Sequence, residues 1–428
     1  MSAPADGVPD RADDERRAKA LAHVREILVM HGATEDEIDR AVADGVIDLF
    51  VADRMLVPAR RRYTRAEVSE VTGVPLGMLE RFWRALGFAS VPDDDPVFTD
   101  LDLEAVRVLQ GMQAIGAADT DTSLQMARVI GSSMARIAEA ELVPGVLVGT
   151  EVDPVLSAES FASVADVTIP AMAKLLEFVW RRQVAAGIQR NMIMRSHGLA
   201  PGQSPVLAVG FVDMVGFTLL SQHLSDEELA AVVRRFEEIS HDIVISAGGR
   251  VVKMIGDEAM FVVDDVAAAA RIGLDLADAY ADDDLLSDVR VGLALGPVLL
   301  RDGDYFGPTV NLAHRIVNIG NPGTVLMSDE FHLALRQAAP DAFTAQALRP
   351  RLLKDLGRVQ LWWLVQAGRE ADGAGAEADR RRNARWERLA EVLRDLEELR
   401  DVGERLLTSS RPAAGAASGL AEPRGGDA

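Results

Sequence analysis

Two periodicities divide this chain. From Ala20 to about Pro58 apolar residues recur at helical spacing, with Leu21, Val24, Ile27 and Leu28 forming one stripe. Residues 63–110 read as a compact helical unit. It is opened by Thr64-Arg65-Ala66-Glu67, whose side chains can satisfy the orphan amides of a first helical turn. Val71-Thr72-Gly73-Val74-Pro75 breaks that unit in the manner of a helix–turn–helix. A further helical pattern covers 101–142. Another covers roughly 168–194, with Ile169, Met172, Leu175, Leu176 and Val179 on one face. Residues 1–18 are charged and are expected to be disordered. Gly198 to Pro205 is rich in Gly, Ser and Pro and reads as a linker. The expectation is an all-helical domain over 19–197, with no visible chemistry of its own.

From Val206 strands alternate with helices. Val206–Val212 is a continuous apolar run of strand length. Ser225-Asp226-Glu227-Glu228 caps an amphipathic helix over Asp226–Ala247. Arg250–Ile255 and Ala259–Val263 read as two strands joined at Gly256-Asp257-Glu258. A helix over Val266–Ala281 and a strand over Val289–Leu295 follow. A helix over Val310–Ile319 and a strand over Gly323–Ser328 come next. The order β-α-β-β-α-β is the ferredoxin-like arrangement, an α+β fold, expected here over 206–366. Residues 367–428 read as a linker, a charged helix from about Ala378 to Leu407, and a low-complexity tail.

A length of 428 residues suits two or three domains and a substantial core. The sequence has no Cys, which excludes disulfides, thiolate metal sites and Cys nucleophiles. A formal net charge of −22 argues against coating nucleic acid and against docking on anionic lipid. No apolar run approaches the roughly 20 residues that span a bilayer. The first residues carry no hydrophobic signal core. The expectation is a cytoplasmic protein with no nucleic-acid partner and no membrane span.

Three blocks carry candidate chemistry. The first runs Phe211-Val212-Asp213-Met214-Val215-Gly216-Phe217-Thr218, and the second Lys253-Met254-Ile255-Gly256-Asp257-Glu258. The third runs from Asp304 through Gly307-Pro308 to Asn311 and Arg315. If the strands before Asp213 and Asp257 are neighbours, the two carboxylates converge. With a backbone oxygen such as the Met214 carbonyl, they suit Mg²⁺ or Mn²⁺. A pair of such ions can activate an attacking hydroxyl and neutralise a leaving phosphate. The turn into Phe217 and Thr218 presents backbone amides to an anion.

Alternation puts Lys253 on the face of Val251 and Ile255, which is expected to be partly buried. Its ammonium therefore needs a partner, and Asp304 is the candidate, directly or through a ligand. Adenine offers an acceptor at N1 and a donor at its 6-amino group, which match a Lys and an Asp. Guanine presents the opposite polarity, and unpaired buried polar groups discriminate by roughly 10⁴-fold. Asn311 and Arg315 share a helix face, and the Arg fork fits phosphate oxygens. Taken singly, each of these residues has a bland reading as a turn, a solvated strand position or a helix-surface pair. The joint pattern points to one nucleotide-handling site.

These motifs resemble the class III nucleotidyl cyclases, and their adenylyl cyclases in particular, over about residues 204–366. The resemblance implies that Asp213 and Asp257 bind a pair of Mg²⁺ or Mn²⁺ ions, that Lys253 and Asp304 select adenine, and that Asn311 and Arg315 stabilise the transition state. The reaction would convert ATP to cyclic AMP and pyrophosphate. Lys354 resembles the family's late triphosphate-binding Lys, with Asp355 where a Gly usually follows. A complete set in one chain implies a homodimer joined through the catalytic domains, with sites shared between protomers.

The helical block is similar to the regulatory domain of the mycobacterial pH-responsive adenylyl cyclase. Within it, Tyr63 to Gly87 resembles the winged-helix unit of MerR-type regulators, although it lacks the basic excess that phosphate contacts need. The resemblance implies autoinhibition relieved by acid, with a proton or small molecule as effector. His197, His223, His241 and His314 are the candidate sensors. Three other functions compete. A guanylyl cyclase would want a Glu and a small polar residue at 253 and 304. A non-catalytic nucleotide-binding module would have lost a site residue. A DNA-binding regulator conflicts with the acidity.

Overall fold

In a computed structural model, residues 11–366 are described apart from 58, 60, 117–118, 143–152, 197, 199, 201–202 and 284. His197, the charged helix expected over 378–407 and the tail lie outside the described residues. Contacts divide the chain into two units, Met1–Leu199 and Ala200–Ala428. Among the described residues, no helix is long and apolar enough to cross a membrane.

The first unit is helical: α1 (Arg11–Met30), α2 (Glu35–Ala43), α3 (Ile47–Leu56), α4 (Arg65–Thr72), α5 (Leu76–Ala85), α6 (Asp100–Ala114), α7 (Thr120–Leu142) and α8 (Pro154–Ser196). Helix α1 corrects the expected disorder over 1–18, because residues 11–18 are already helical. Their Arg, Ala and Glu residues are among the better helix formers, so an apolar stripe is not needed to begin the helix. The stripe of α1 and the first part of α8 bury Val24, Leu28, Ala158 and Ala162 against α2 and α3.

Thr64 and Glu67 close the expected capping box on α4, and Gly73 ends it in the left-handed conformation before α5. The helix expected over 168–194 is the later part of α8, which continues through Pro170. In that part Leu175, Phe178, Val179 and Trp180 are exposed.

The second unit contains β1 (Val206–Met214), α9 (Phe217–Leu220), α10 (Asp226–Ser246), β2 (Arg250–Ile255), β3 (Glu258–Val263), α11 (Val266–Asp282), β4 (Val289–Pro297), β5 (Leu299–Arg301), β6 (Asp304–Phe306), α12 (Pro308–Val317), β7 (Val325–Ser328), α13 (Asp329–Ala338), β8 (Phe343–Ala347), β9 (Arg351–Leu353), β10 (Gly357–Val359) and β11 (Leu361–Gln366). The main sheet has the order β2-β3-β1-β4-β7-β11-β8. Its first four strands are antiparallel neighbours, as the ferredoxin-like order requires.

One face of this sheet carries Ala208, Val212, Val291 and Leu293 into a core shared with α10, α11 and α13. Alternation gives the other face Phe211 and Asp213 of β1 and Arg290, Gly292 and Gly296 of β4. Helix α12 lies on that second face at very short range. A Cβ on Gly292 would sit 2.5 Å from the Val317 amide nitrogen and 2.6 Å from the Ala313 carbonyl oxygen. One on Gly296 would meet the Thr309 hydroxyl at 2.6 Å. Two glycines therefore set the seat of the helix that bears Asn311 and Arg315. We expect Gly292→Ala to cost roughly 1–3 kcal/mol by forcing α12 off the sheet. Calorimetry would show a melting temperature lower by several degrees, and an unchanged melting temperature would refute this seat.

Candidate active site

The site begins with a β-bulge. Val251 pairs with Phe261 and Lys253 with Met260, so the register shifts between them. Phe261 and Met260 are consecutive and face opposite sides of the sheet. Lys253 therefore lies on the face opposite Val251, which corrects the alternation expected from sequence. It shares the face of Ile255, Glu258 and Phe211. From there its Nζ reaches Asp304 Oδ2 at 2.6 Å, both side chains being about one-third exposed. The expected Lys–Asp partnership forms within one chain. The amide of Tyr305 donates to Asp304 Oδ1 at 2.8 Å and holds the carboxylate.

Asp213 ends β1 and Asp257 lies in the β2–β3 turn. The Met214 amide donates to the Asp257 carbonyl oxygen at 3.0 Å, tying the two positions through the backbone. Glu258 of β3 and Arg290 of β4 are the register partners of Asp213 on either side. The row Glu258–Asp213–Arg290 thus crosses three strands on one face, and Arg290 Nη2 donates to Asp213 Oδ2. Arg290 Nε is buried with no hydrogen-bond partner among the described residues. His314 of α12 closes the row from above, with Nε2 3.4 Å from Glu258 Oε2 and its ring edge-on to Phe211.

Glu258 and Arg290 are site residues that sequence reasoning missed. Their signals were a charge directly after Asp257 and a lone Arg inside an apolar strand. Gly216 turns the chain in the left-handed conformation, and Phe217 and Thr218 then open the one-turn helix α9. Arg315 Nη2 stands 3.8 Å from Asp355 Oδ2 in the β9–β10 turn, next to exposed Lys354. Asn311 is exposed. Among the described residues, no hydrogen bond joins Asn311 or Lys354 to another candidate.

Burial raises the pKa of Asp213, and the Arg290 charge opposes that rise. Glu258 is pushed up to about 7, first by burial and then by the charges of Asp213 and Asp257, with Arg290 and Lys253 pulling the other way. Burial and then Arg315 lower His314. The carboxylates thus outnumber the cations that compensate them, and a hard divalent cation fits that imbalance. Among the described residues, no group of three or more acidic or His side chains forms a ready metal cage. That suits an ion held by one or two carboxylates and completed by phosphate oxygens and water.

Folded protein holds the Glu258 proton up to about pH 7, whereas an ordinary Glu releases it near 4.5. This contribution to stability is full below the lower value and lost as pH rises through the higher one. With divalent ions chelated, the melting temperature should fall between about pH 5 and pH 8 by a few degrees more than in Glu258→Gln. Equal slopes in thermal scans of the two proteins would overturn the burial argument.

The chain matches the adenylate cyclase regulatory domain family over residues 4–188 and the adenylate and guanylate cyclase catalytic domain family over residues 200–366. The adenylate cyclase of Streptomyces coelicolor is 34% identical over 351 residues, covering 76% of this chain and 90% of the relative. That of Glutamicibacter nicotianae is 33% identical over 354 residues, covering 79% and 86%. The pH-sensitive adenylate cyclase of Mycobacterium tuberculosis is 31% identical over 369 residues, covering 83% and 90%. With both domains matched in order and relatives similar over most of their length, the chain belongs to the adenylate cyclase family.

Proposed function

We propose that the chain converts ATP to 3′,5′-cyclic AMP and pyrophosphate in a homodimer, at a rate set by its helical unit. The observation that carries the substrate is the Lys253–Asp304 pair, 2.6 Å apart at the face that also bears Asp213. Lys253 donates to adenine N1, and Asp304 accepts from the 6-amino group. Guanine would leave both unpaired, at a cost of roughly 10⁴-fold. In the cyclisation the ribose 3′-hydroxyl gives its proton to solvent and its oxygen bonds to the α-phosphorus. The bond to the bridging oxygen breaks, and pyrophosphate leaves.

Asp213, Asp257 and the Met214 carbonyl are the groups that would hold Mg²⁺ or Mn²⁺, which supplies Lewis-acid activation of the hydroxyl and neutralises charge on the phosphates. The amides of Phe217 and Thr218 and the Lys354 ammonium bind the triphosphate. Arg315 spreads its fork over the charge at phosphorus, and Asn311 orients the ribose.

Lys253 and its own Asp304 lie side by side in one chain, so one protomer carries the base-reading pair, and adenine enters by exchanging the bond between them. Asn311 and Arg315 follow Asp304 on α12 of the same protomer. A head-to-tail dimer brings Asp213 and Asp257 of the other protomer to that set. In the helical unit, His23 of α1 stands 3.7 Å from Glu159 of α8, a contact that becomes an ion pair only when the ring is protonated. Together with the resemblance to a pH-sensitive relative, this contact supports acid as the regulatory signal.

Purified full chain given ATP or GTP with Mn²⁺, from about pH 5.5 to pH 8, should yield cyclic AMP from ATP, and more at the acid end. Without cyclic AMP the cyclase reading fails, and a flat profile removes the proton signal alone. An Asp213→Ala chain mixed with an Arg315→Ala chain should regain activity that neither has alone. One hybrid site of the mixed dimer is then intact. Folded mixed dimers that stay inactive would show that sites are not shared.

A further inference from the structure

We infer that Asp355 is a substrate-mimicking carboxylate that holds Arg315 until phosphate displaces it, and so sets the affinity of the site for its anionic substrate. The inference rests on the cyclase reading of Arg315.

Asp355 occupies the turn between β9 and β10, and its φ is +67°. Among the described residues, only Asp302 is another non-glycine at positive φ. Glycine takes that conformation without steric cost, and Asn or Asp takes it at a modest one. The turn therefore does not need an aspartate, and the side chain has to be explained by what it touches. Its Oδ2 stands 3.8 Å from Arg315 Nη2, with the carboxylate largely in solvent and Arg315 half-covered. Lys354, the other cation proposed to meet the triphosphate, directly precedes it.

A carboxylate oxygen at the guanidinium fork is the same kind of acceptor as a phosphate oxygen. At 3.8 Å it is an ion-pair partner rather than a hydrogen-bond acceptor, and it lowers the local positive charge. An incoming anion must break this contact, and after product leaves the carboxylate can return. Exposed ion pairs are weak, so the barrier is small and reversible. That is the property a displaceable mimic needs.

Asp355→Asn keeps the turn geometry and removes only the charge. Asp355→Gly removes the charge and also relaxes the backbone. With ATP and Mn²⁺, both variants of the full chain should raise kcat/KM roughly 2- to 5-fold, the range that matches an exposed ion pair. The gain should disappear when either change is made in an Arg315→Gln chain, because the partner is gone. A gain that persists there, or one found in the Gly variant but not in the Asn variant, would make Asp355 a backbone or general-charge effect and overturn the inference. Unchanged kinetics in both variants of an active enzyme would do the same. If the parent chain makes no cyclic AMP at all, the failure lies with the cyclase reading beneath it.

Discussion

A carboxylate taken out of water has to find a cation or a proton, and this requirement organises the catalytic unit. Asp213 finds Arg290 on the neighbouring strand. Glu258, one strand away in the same row, has His314 at 3.4 Å and otherwise keeps its proton up to about pH 7. The row exists because three strands present the same face in register. A slip of one residue on any of them would send its charge into the apolar core on the other side. The cost of such a slip makes this stretch of sheet intolerant of register error. That rigidity is what a site built from carboxylates at a strand end requires.

Local signals in the sequence were readable because their physics is local. The capping boxes at Thr64 and Ser225 depend on residues three apart, and both form. The apolar run before Asp213 could hardly be anything but a buried strand. The Lys253–Asp304 partnership was inferred from the need of a half-buried ammonium, and it forms, on the face of Ile255 as alternation gave but opposite Val251. The bulge that moves Lys253 is a property of pairing between two strands, and no single strand encodes it.

Arg290 and Glu258 escaped notice for the same reason, since their meaning comes from being cross-strand neighbours of Asp213. Gly292 and Gly296 of β4 carry no signal in the strand itself, because their meaning comes from α12 packed on them. Helix α13 and the strands after it were passed over because the ferredoxin-like order was already complete without them.

The cations of this site are already engaged. Arg290 is bound to Asp213, Lys253 to Asp304, and Arg315 is drawn to Asp355. In a chain of net charge −22 this is unsurprising, because a free cation would be rare among so many carboxylates. For the proposed nucleotide site it also means that binding a triphosphate would be an exchange of partners rather than the filling of an open positive pocket. Each broken pair would offset part of the new interaction, which raises the demand for matching geometry. A negatively charged surface also repels a triphosphate at long range, within about 8–10 Å at ordinary salt. The local pairs therefore have to do the selecting.

Helix α12 gathers these constraints into one body. Thr309, Ala313, Ile316 and Val317 are buried against the sheet, while Asn311 faces outward and Arg315 is half-covered. His314, between them in sequence, points at Glu258. A single short helix thus senses the charge of the carboxylate row on one side and carries the proposed phosphorus-stabilising pair on the other. The seat on Gly292 and Gly296 leaves no slack for it to tilt, so a shift of His314 is a shift of Arg315 as well. Whatever alters the carboxylate row, whether a bound ion or a proton, is therefore felt at the group proposed to meet the phosphate, through backbone rather than through a chain of side chains.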